Sequence, residues 1–206
     1  MLTVYGDSVS GNCYKIQLLA SLLDIDINWV ELNILDGDTQ KPDFLALNPL
    51  GKIPLLQTDD GFVLSESNAI LHFLADGHEI AGKDVETKSQ VLQWQFFEQY
   101  SHEPYIAVAR FINFYLGLPE EKLAEYLQKQ EGGHKALAHM EQQLQKTPFL
   151  VGEQLSLADI SLYAYTHVAH QGGFELDKYP AIQAWITRIE AQENYRPMGP
   201  KANKPS

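Results

Sequence analysis

The chain has 206 residues, 45% of them hydrophobic, and a formal net charge of −12. This is enough apolar material for one large core or two small ones, and an acidic balance without a Lys/Arg cluster excludes nucleic acid and an anionic membrane surface as expected partners. No apolar run approaches the roughly 20 residues of a membrane-spanning helix. The start Met1-Leu2-Thr3-Val4-Tyr5 has neither the basic nor the long apolar part of a leader, and the one cysteine, Cys13, can form no internal disulfide, so a cytoplasmic protein is expected.

In chain order, Leu2 to Tyr5 reads as a short strand, Gly6 to Ser10 as a loop, and Gly11 to Leu23 as a helix with Ile16, Leu19, Ala20 and Leu23 along one face. Ile27 to Leu32 is a second strand. Lys41-Pro42-Asp43-Phe44 opens a short helical or irregular connection. Ile53-Pro54 begins an apolar run suited to a third strand, and Pro54, lacking a backbone N–H, is confined to its first position or an edge. Asp59-Asp60-Gly61 is a turn signal and Phe62-Val63-Leu64 a fourth strand, so this pair reads as a hairpin. Ser65-Glu66-Ser67-Asn68 then precedes Ala69, Ile70, Phe73 and Leu74, whose spacing predicts a helix with a Ser or Asn cap. The first N–H groups of a helix have no partners within it, so a ligand carboxylate presented here would be held by them and by the Ser67 hydroxyl.

Leu47-Asn48-Pro49-Leu50-Gly51-Lys52-Ile53-Pro54 followed by Glu66-Ser67-Asn68-Ala69-Ile70 resembles the glutathione-binding half of the cytosolic glutathione transferases. The resemblance implies a cis Ile53-Pro54 bond, a backbone contact from Ile53 to the cysteinyl part of glutathione, and Glu66 and Ser67 on its γ-glutamyl end. It also implies a ligand role for Lys52. Taken alone, Gly51-Lys52-Ile53-Pro54 would be only a turn entering a strand. The order β-α-β-α-β-β-α over residues 1–77 is that of an α/β thioredoxin-like domain.

Tyr5-Gly6, Ser10-Gly11-Asn12 and Lys15-Ile16 resemble the serine-type classes, especially the phi class and related bacterial enzymes. There a serine donates a hydrogen bond to the glutathione sulfur, which implies Ser10 as the catalytic residue with Asn12 as a supporting donor or a substitute. The chemistry is sufficient because a free thiol, with a pKa of about 8.5, is only a few per cent thiolate at neutral pH, and a donor that prefers the thiolate shifts that balance. Ser8 competes within the same loop, and Ser10 also reads as an ordinary helix cap. Cys13 falls on the face of Ile16 and Ala20 and reads as a buried, unreactive thiol, with no Cys-x-x-Cys present. Where phi-type relatives commonly carry a His and a Lys for the glycyl carboxylate, this chain has Thr39 and Gln40. Gln40 still donates a hydrogen bond.

Gly77 to Asp84 changes character, and residues 78–84 read as a linker into an all-helical domain over 85–206. Val91, Trp94, Gln95 and Glu98 belong to a long helix that Pro104 interrupts or bends. A further helix starts at Leu118-Pro119-Glu120-Glu121 and carries the core stripe Leu137, Met140 and Leu144. Ser156-Leu157-Ala158-Asp159 is a capping box, a folding element for which loss of Asp159 costs roughly 1 kcal/mol if it acts as an ordinary cap. Tyr179-Pro180 to Ala191 is the last helix, and Met198 to Ser206 reads as a loose tail. The seven histidines make no metal site: His167 and His170 lack a third ligand and read as a structural pair.

The resemblance implies a glutathione transferase that uses glutathione as co-substrate and needs no metal. Its sulfur would attack a small, mostly apolar electrophile held against the second domain, with Tyr105, Arg110 and Phe111 as pocket candidates and Arg110 favouring a negatively charged substrate. A homodimer and a detoxifying role are implied in the same way. Two alternatives stay open: a non-catalytic binding or assembly module of the same body, as in translation-factor subunits, or a glutathione-dependent isomerase, dehalogenase, lyase or disulfide reductase.

Overall fold

The structure, a computed structural model, describes residues 1–199 and divides into two compact units, Met1–Asp76 with residues 192–199, and Gly77–Ala191. The first unit has β1 (Leu2–Gly6), α1 (Gly11–Leu22), β2 (Ile27–Glu31), α2 (Pro42–Leu47), β3 (Leu55–Thr58), β4 (Val63–Ser65) and α3 (Ser67–Leu74). The sheet order is β2-β1-β3-β4, with β1 parallel to β2 and antiparallel to β3, and β3 antiparallel to β4. This is the expected thioredoxin-like order, including the hairpin.

Two expectations for this unit change. α1 is not buried along one stripe: every residue from Cys13 to Ala20 is buried, Lys15 and Gln17 included. The chain after Gln192 does not stay with the helical unit, as the expected span 85–206 had it. It runs along α1, where the Tyr14 hydroxyl donates to the Arg196 carbonyl at 2.6 Å and the Ser21 hydroxyl to the Asn194 carbonyl at 2.7 Å. Of the tail expected over 198–206, residues 200–206 lie outside the described residues.

The second unit is helical: α4 (Val85–Phe97), α5 (Glu103–Arg110), α6 (Leu123–Leu144), α7 (Leu157–Thr166) and α8 (Pro180–Glu190). The break expected at Pro104 is a π-helical turn over Glu98–His102, in which the Glu103 N–H reaches five residues back to the Glu98 carbonyl. The wider turn takes up the missing proline N–H and the ring that would crowd the carbonyl four residues before it. α6 carries two glycines because aromatic rings lie against it. A Cβ on Gly132 would sit 2.2 Å from the Tyr105 ring, and one on Gly133 2.3 Å from that of Phe174. α7 is buried along its whole length and starts with the expected capping box of Ser156 and Asp159.

Candidate functional site

Strand register brings three distant pieces of sequence to one end of the first sheet. Leu55 lies opposite Ser65 on β4 and opposite Tyr5 on β1. The residues just before β3, Ile53-Pro54, therefore neighbour those just after β4, Glu66-Ser67, and lie at the same sheet end as the loop that leaves β1 toward Ser10. The Ile53-Pro54 bond is cis, and Pro54 directly precedes β3, so the central strand loses no ladder hydrogen bond to it.

Ser10 occupies the N-cap of α1 with an extended backbone (φ −74°, ψ 127°), yet its side chain makes no cap hydrogen bond. That removes the ordinary-cap reading. Its hydroxyl interacts instead with the Cys13 thiol, whose pKa is pushed up to about 12, chiefly by burial, with the Asp7 charge adding to the rise. Cys13 is thus the inert thiol expected. Ser8, the competing serine, has both its N–H and its hydroxyl on Glu31 Oε1, at 2.9 and 3.1 Å.

Glu66, not a Ser or Asn, caps α3. It has φ 69° and ψ 113°, a conformation that L side chains rarely adopt, and its side chain makes no cap bond. This backbone turns the chain sharply from β4 into the helix and leaves Ser67 as the first helical residue. Ser67 is buried at 4% exposure. Its hydroxyl donates to Asn12 Oδ1 at 3.1 Å and accepts from Lys15 Nζ at 3.2 Å, while the same ammonium lies 3.5 Å from Asn68 Oδ1.

Asn12 and Ser67, 55 residues apart, are thereby in direct contact, an arrangement the sequence reading did not draw. Lys15 joins them through the Ser67 hydroxyl, and its mark in the sequence is that it is the one charged residue between Gly11 and Leu23. Gln40 is exposed and donates to the Gly51 carbonyl at 3.4 Å, which sets it beside the exposed Lys52. The Lys52 carbonyl is held by Asn48 Nδ2 at 2.8 Å.

In the second unit, Arg110 is buried at 2% exposure. Its Nε donates to Gln171 Oε1 at 2.7 Å, and its guanidinium lies 4.8 Å from the Phe114 ring centroid and 5.6 Å from that of Tyr115. It is packed among these side chains and bonded to Gln171. The Tyr105 ring is applied to Gly132, and Phe111 stays partly exposed against Tyr115. His167 Nδ1 lies 2.8 Å from the Tyr163 carbonyl and its ring stacks on Tyr163 at 4.4 Å, a structural role. Among the described residues no group of three or more His, Cys, Asp or Glu is placed to hold a metal ion. None of their helices is long and apolar enough to cross a membrane.

Residues 9–76 match the glutathione S-transferase N-terminal domain and residues 94–193 the glutathione S-transferase C-terminal domain. A glutathione S-transferase structure from Pseudomonas fluorescens Pf-5 is 59% identical, with a TM-score of 0.94 over 96% of this chain and 98% of that one. Glutathione S-transferase F10 of Arabidopsis thaliana is 29% identical over 100% of this chain and 99% of its own length. Elongation factor 1-gamma of Carassius auratus is 35% identical over 78% of this chain, which covers 36% of that longer protein. Matched in both halves and along nearly its full length, the chain belongs to the glutathione S-transferase family.

Proposed function

We propose that this glutathione transferase ionises glutathione by a hydrogen bond from Ser10, and that the bound thiolate then attacks a small, mostly apolar electrophile. The sulfur lone pair forms the new C–S bond, the electrophile's leaving group or π-electron pair takes the displaced electrons, and the thiol proton passes to solvent. Each unit of thiol pKa depression requires about 1.4 kcal/mol of preference for thiolate over thiol. A hydroxyl donor supplies part of this. The N-terminus of α1 works in the same direction, since its first turn contains no acidic side chain. Asp7 opposes it, as it does at Cys13. The observation that supports this reading most is that Ser10 stands at a helix start without capping it, at the end of the sheet shared with cis Ile53-Pro54 and Glu66-Ser67.

In this reading the α3 N-terminus and the Ser67 hydroxyl take the carboxylate of the γ-glutamyl end, and the exposed Glu66 carboxylate has the charge to meet its ammonium. The Ile53 backbone holds the cysteinyl part, and Gln40 and Lys52 take the glycyl carboxylate. Asn12 supports Ser67. A homodimer is supported by apolar surface on each unit. In the first, Phe62 and Phe73 stack at 5.7 Å, both exposed. In the second, Leu92, Phe96 and Tyr100 share one exposed helix face, with Phe96 70% and Tyr100 85% exposed. Phe96→Glu should halve the mass seen by sedimentation. Conjugation of electrophiles would serve a detoxifying role, and a cytoplasmic location is proposed with it.

An ultraviolet pH titration of glutathione bound to the wild type and to Ser10→Ala tests the mechanism. A thiol pKa depressed in the wild type and returned toward about 8.5 in the variant is the expected result. Likeness to elongation factor 1-gamma favours the non-catalytic module as the second reading. Binding without depression, or no binding, would select it.

A further inference from the structure

Lysine is among the residues least often fully buried, because desolvating its charge is costly unless partners replace the lost water. Lys15 is nonetheless at 0% exposure. It sits one turn after Asn12 on the same face of α1, and both reach the first turn of α3. An ammonium can only donate. The Ser67 oxygen must therefore turn a lone pair toward Lys15, which sends its proton the other way, toward Asn12 Oδ1. That arrangement agrees with the 3.2 and 3.1 Å separations.

Resting on the proposed γ-glutamyl site, we infer that Lys15 is a positioning residue for carboxylate recognition there. Its buried ammonium holds the Ser67 hydroxyl in a donating orientation and adds a fixed positive charge behind the α3 N-terminus. A carboxylate arriving at that helix start takes the Ser67 proton from Asn12 while Lys15 keeps the oxygen lone pair. The charge is shielded from bulk solvent and ions, so it acts on the incoming anion through a medium of low dielectric. Selection for a carboxylate over its neutral amide then depends on a residue the ligand does not touch.

Calorimetric titration of the full chain with two probes tests this: glutathione, and glutathione whose γ-glutamyl α-carboxylate is converted to the amide. The wild type should prefer the carboxylate by at least tenfold. Lys15→Met should weaken glutathione binding by about tenfold and bring the carboxylate-to-amide preference close to one, whereas Lys15→Arg should keep most of the preference. In the Ser67→Ala background the effect of Lys15→Met should shrink. Equal weakening of both probes by Lys15→Met would mean that Lys15 only supports α1, and the inference would be overturned. The same holds if Lys15→Met binds like the wild type. Should that variant not fold, the wild type still decides, because amide binding as tight as glutathione overturns the inference directly. Failure of the wild type to bind glutathione at all is a different outcome: it refutes the underlying site and not the role of Lys15 within it.

Discussion

Replacing Asp159 by Ala should cost far more than the loss of a helix cap. Its carboxylate is fully buried and accepts four hydrogen bonds: Leu150 N–H at 2.8 Å and Trp185 Nε1–H at 2.9 Å on Oδ1, and Ser156 N–H at 2.9 Å and Ser156 Oγ–H at 2.7 Å on Oδ2. Burial raises the carboxyl pKa, and the donors pull it back. Three of the four are N–H groups that cannot accept a proton, which is the geometry of a carboxylate. Alanine would leave these donors buried with nothing to replace the oxygens. An unsatisfied buried donor costs about 1–3 kcal/mol, and such losses do not add fully, so the expected destabilisation is about 3–5 kcal/mol. Against a typical stability of about 5–15 kcal/mol this is a large fraction. Urea unfolding followed by circular dichroism should show a midpoint about 1–2 M lower at unchanged slope, given a slope of about 2–3 kcal/mol per M for a chain of this size. Asp159→Asn keeps one acceptor oxygen and should fall between Ala and wild type. A loss of 1 kcal/mol or less for the alanine variant would refute the reasoning and return Asp159 to the role of an ordinary cap.

Burial lowers the His167 pKa from 6.5 to about 4. Between those values the unfolded chain binds a proton that the folded ring refuses, so stability present above pH 6.5 is lost as pH falls toward 4. The loss should reach at most about 3 kcal/mol at 1.36 kcal/mol per unit, less to the extent that the ring is partly exposed. Urea midpoints at pH 7 and pH 4.5 should converge in His167→Asn relative to wild type, and an unchanged difference would count against the assignment. Glu66→Gly should keep or raise stability by up to about 1 kcal/mol, because glycine accepts the positive φ without strain. The same variant should bind glutathione more weakly, and a large loss of stability with unchanged affinity would show that the Glu66 conformation serves folding.

Much of the fold was legible because its signals are local. Asp59-Asp60-Gly61 announces the hairpin, and Ser156-Leu157-Ala158-Asp159 announces the start of α7, since both depend on side chains a few residues apart. The return of the chain after Gln192 was not legible. Its bonds to α1 end on the backbone carbonyls of Asn194 and Arg196, which any residue offers. Asp159 was read as a capping residue, and the capping box is visible in sequence, but Leu150 and Trp185 join the same carboxylate only through the packed helices, and on them rests the larger cost expected above. Arg110 shows the same limit: an arginine among aromatic residues suggests a ligand-facing charge, and the bond of its Nε to Gln171 appears only in the fold.

The candidate site divides along the same line. Ser10, Glu66 and Ser67 stand out as motif residues, and the register of β1, β3 and β4 explains why motifs more than fifty residues apart meet at one sheet end. The conformation of Glu66 has no local signal, because glutamate has no preference for positive φ and its neighbours Ser65 and Ser67 would each be better caps. Lys15 is a parallel case, the one charged residue of its helix and fully buried. In both, a residue stands where its intrinsic preference argues against it, and both meet Ser67: Glu66 directly precedes it, and Lys15 donates to its hydroxyl at 3.2 Å. Local preference gives way where several groups must converge on one ligand. Residues that contradict their surroundings are therefore the ones to substitute first in this chain, with Glu66→Gly and Lys15→Met separating strain from charge at the same helix start.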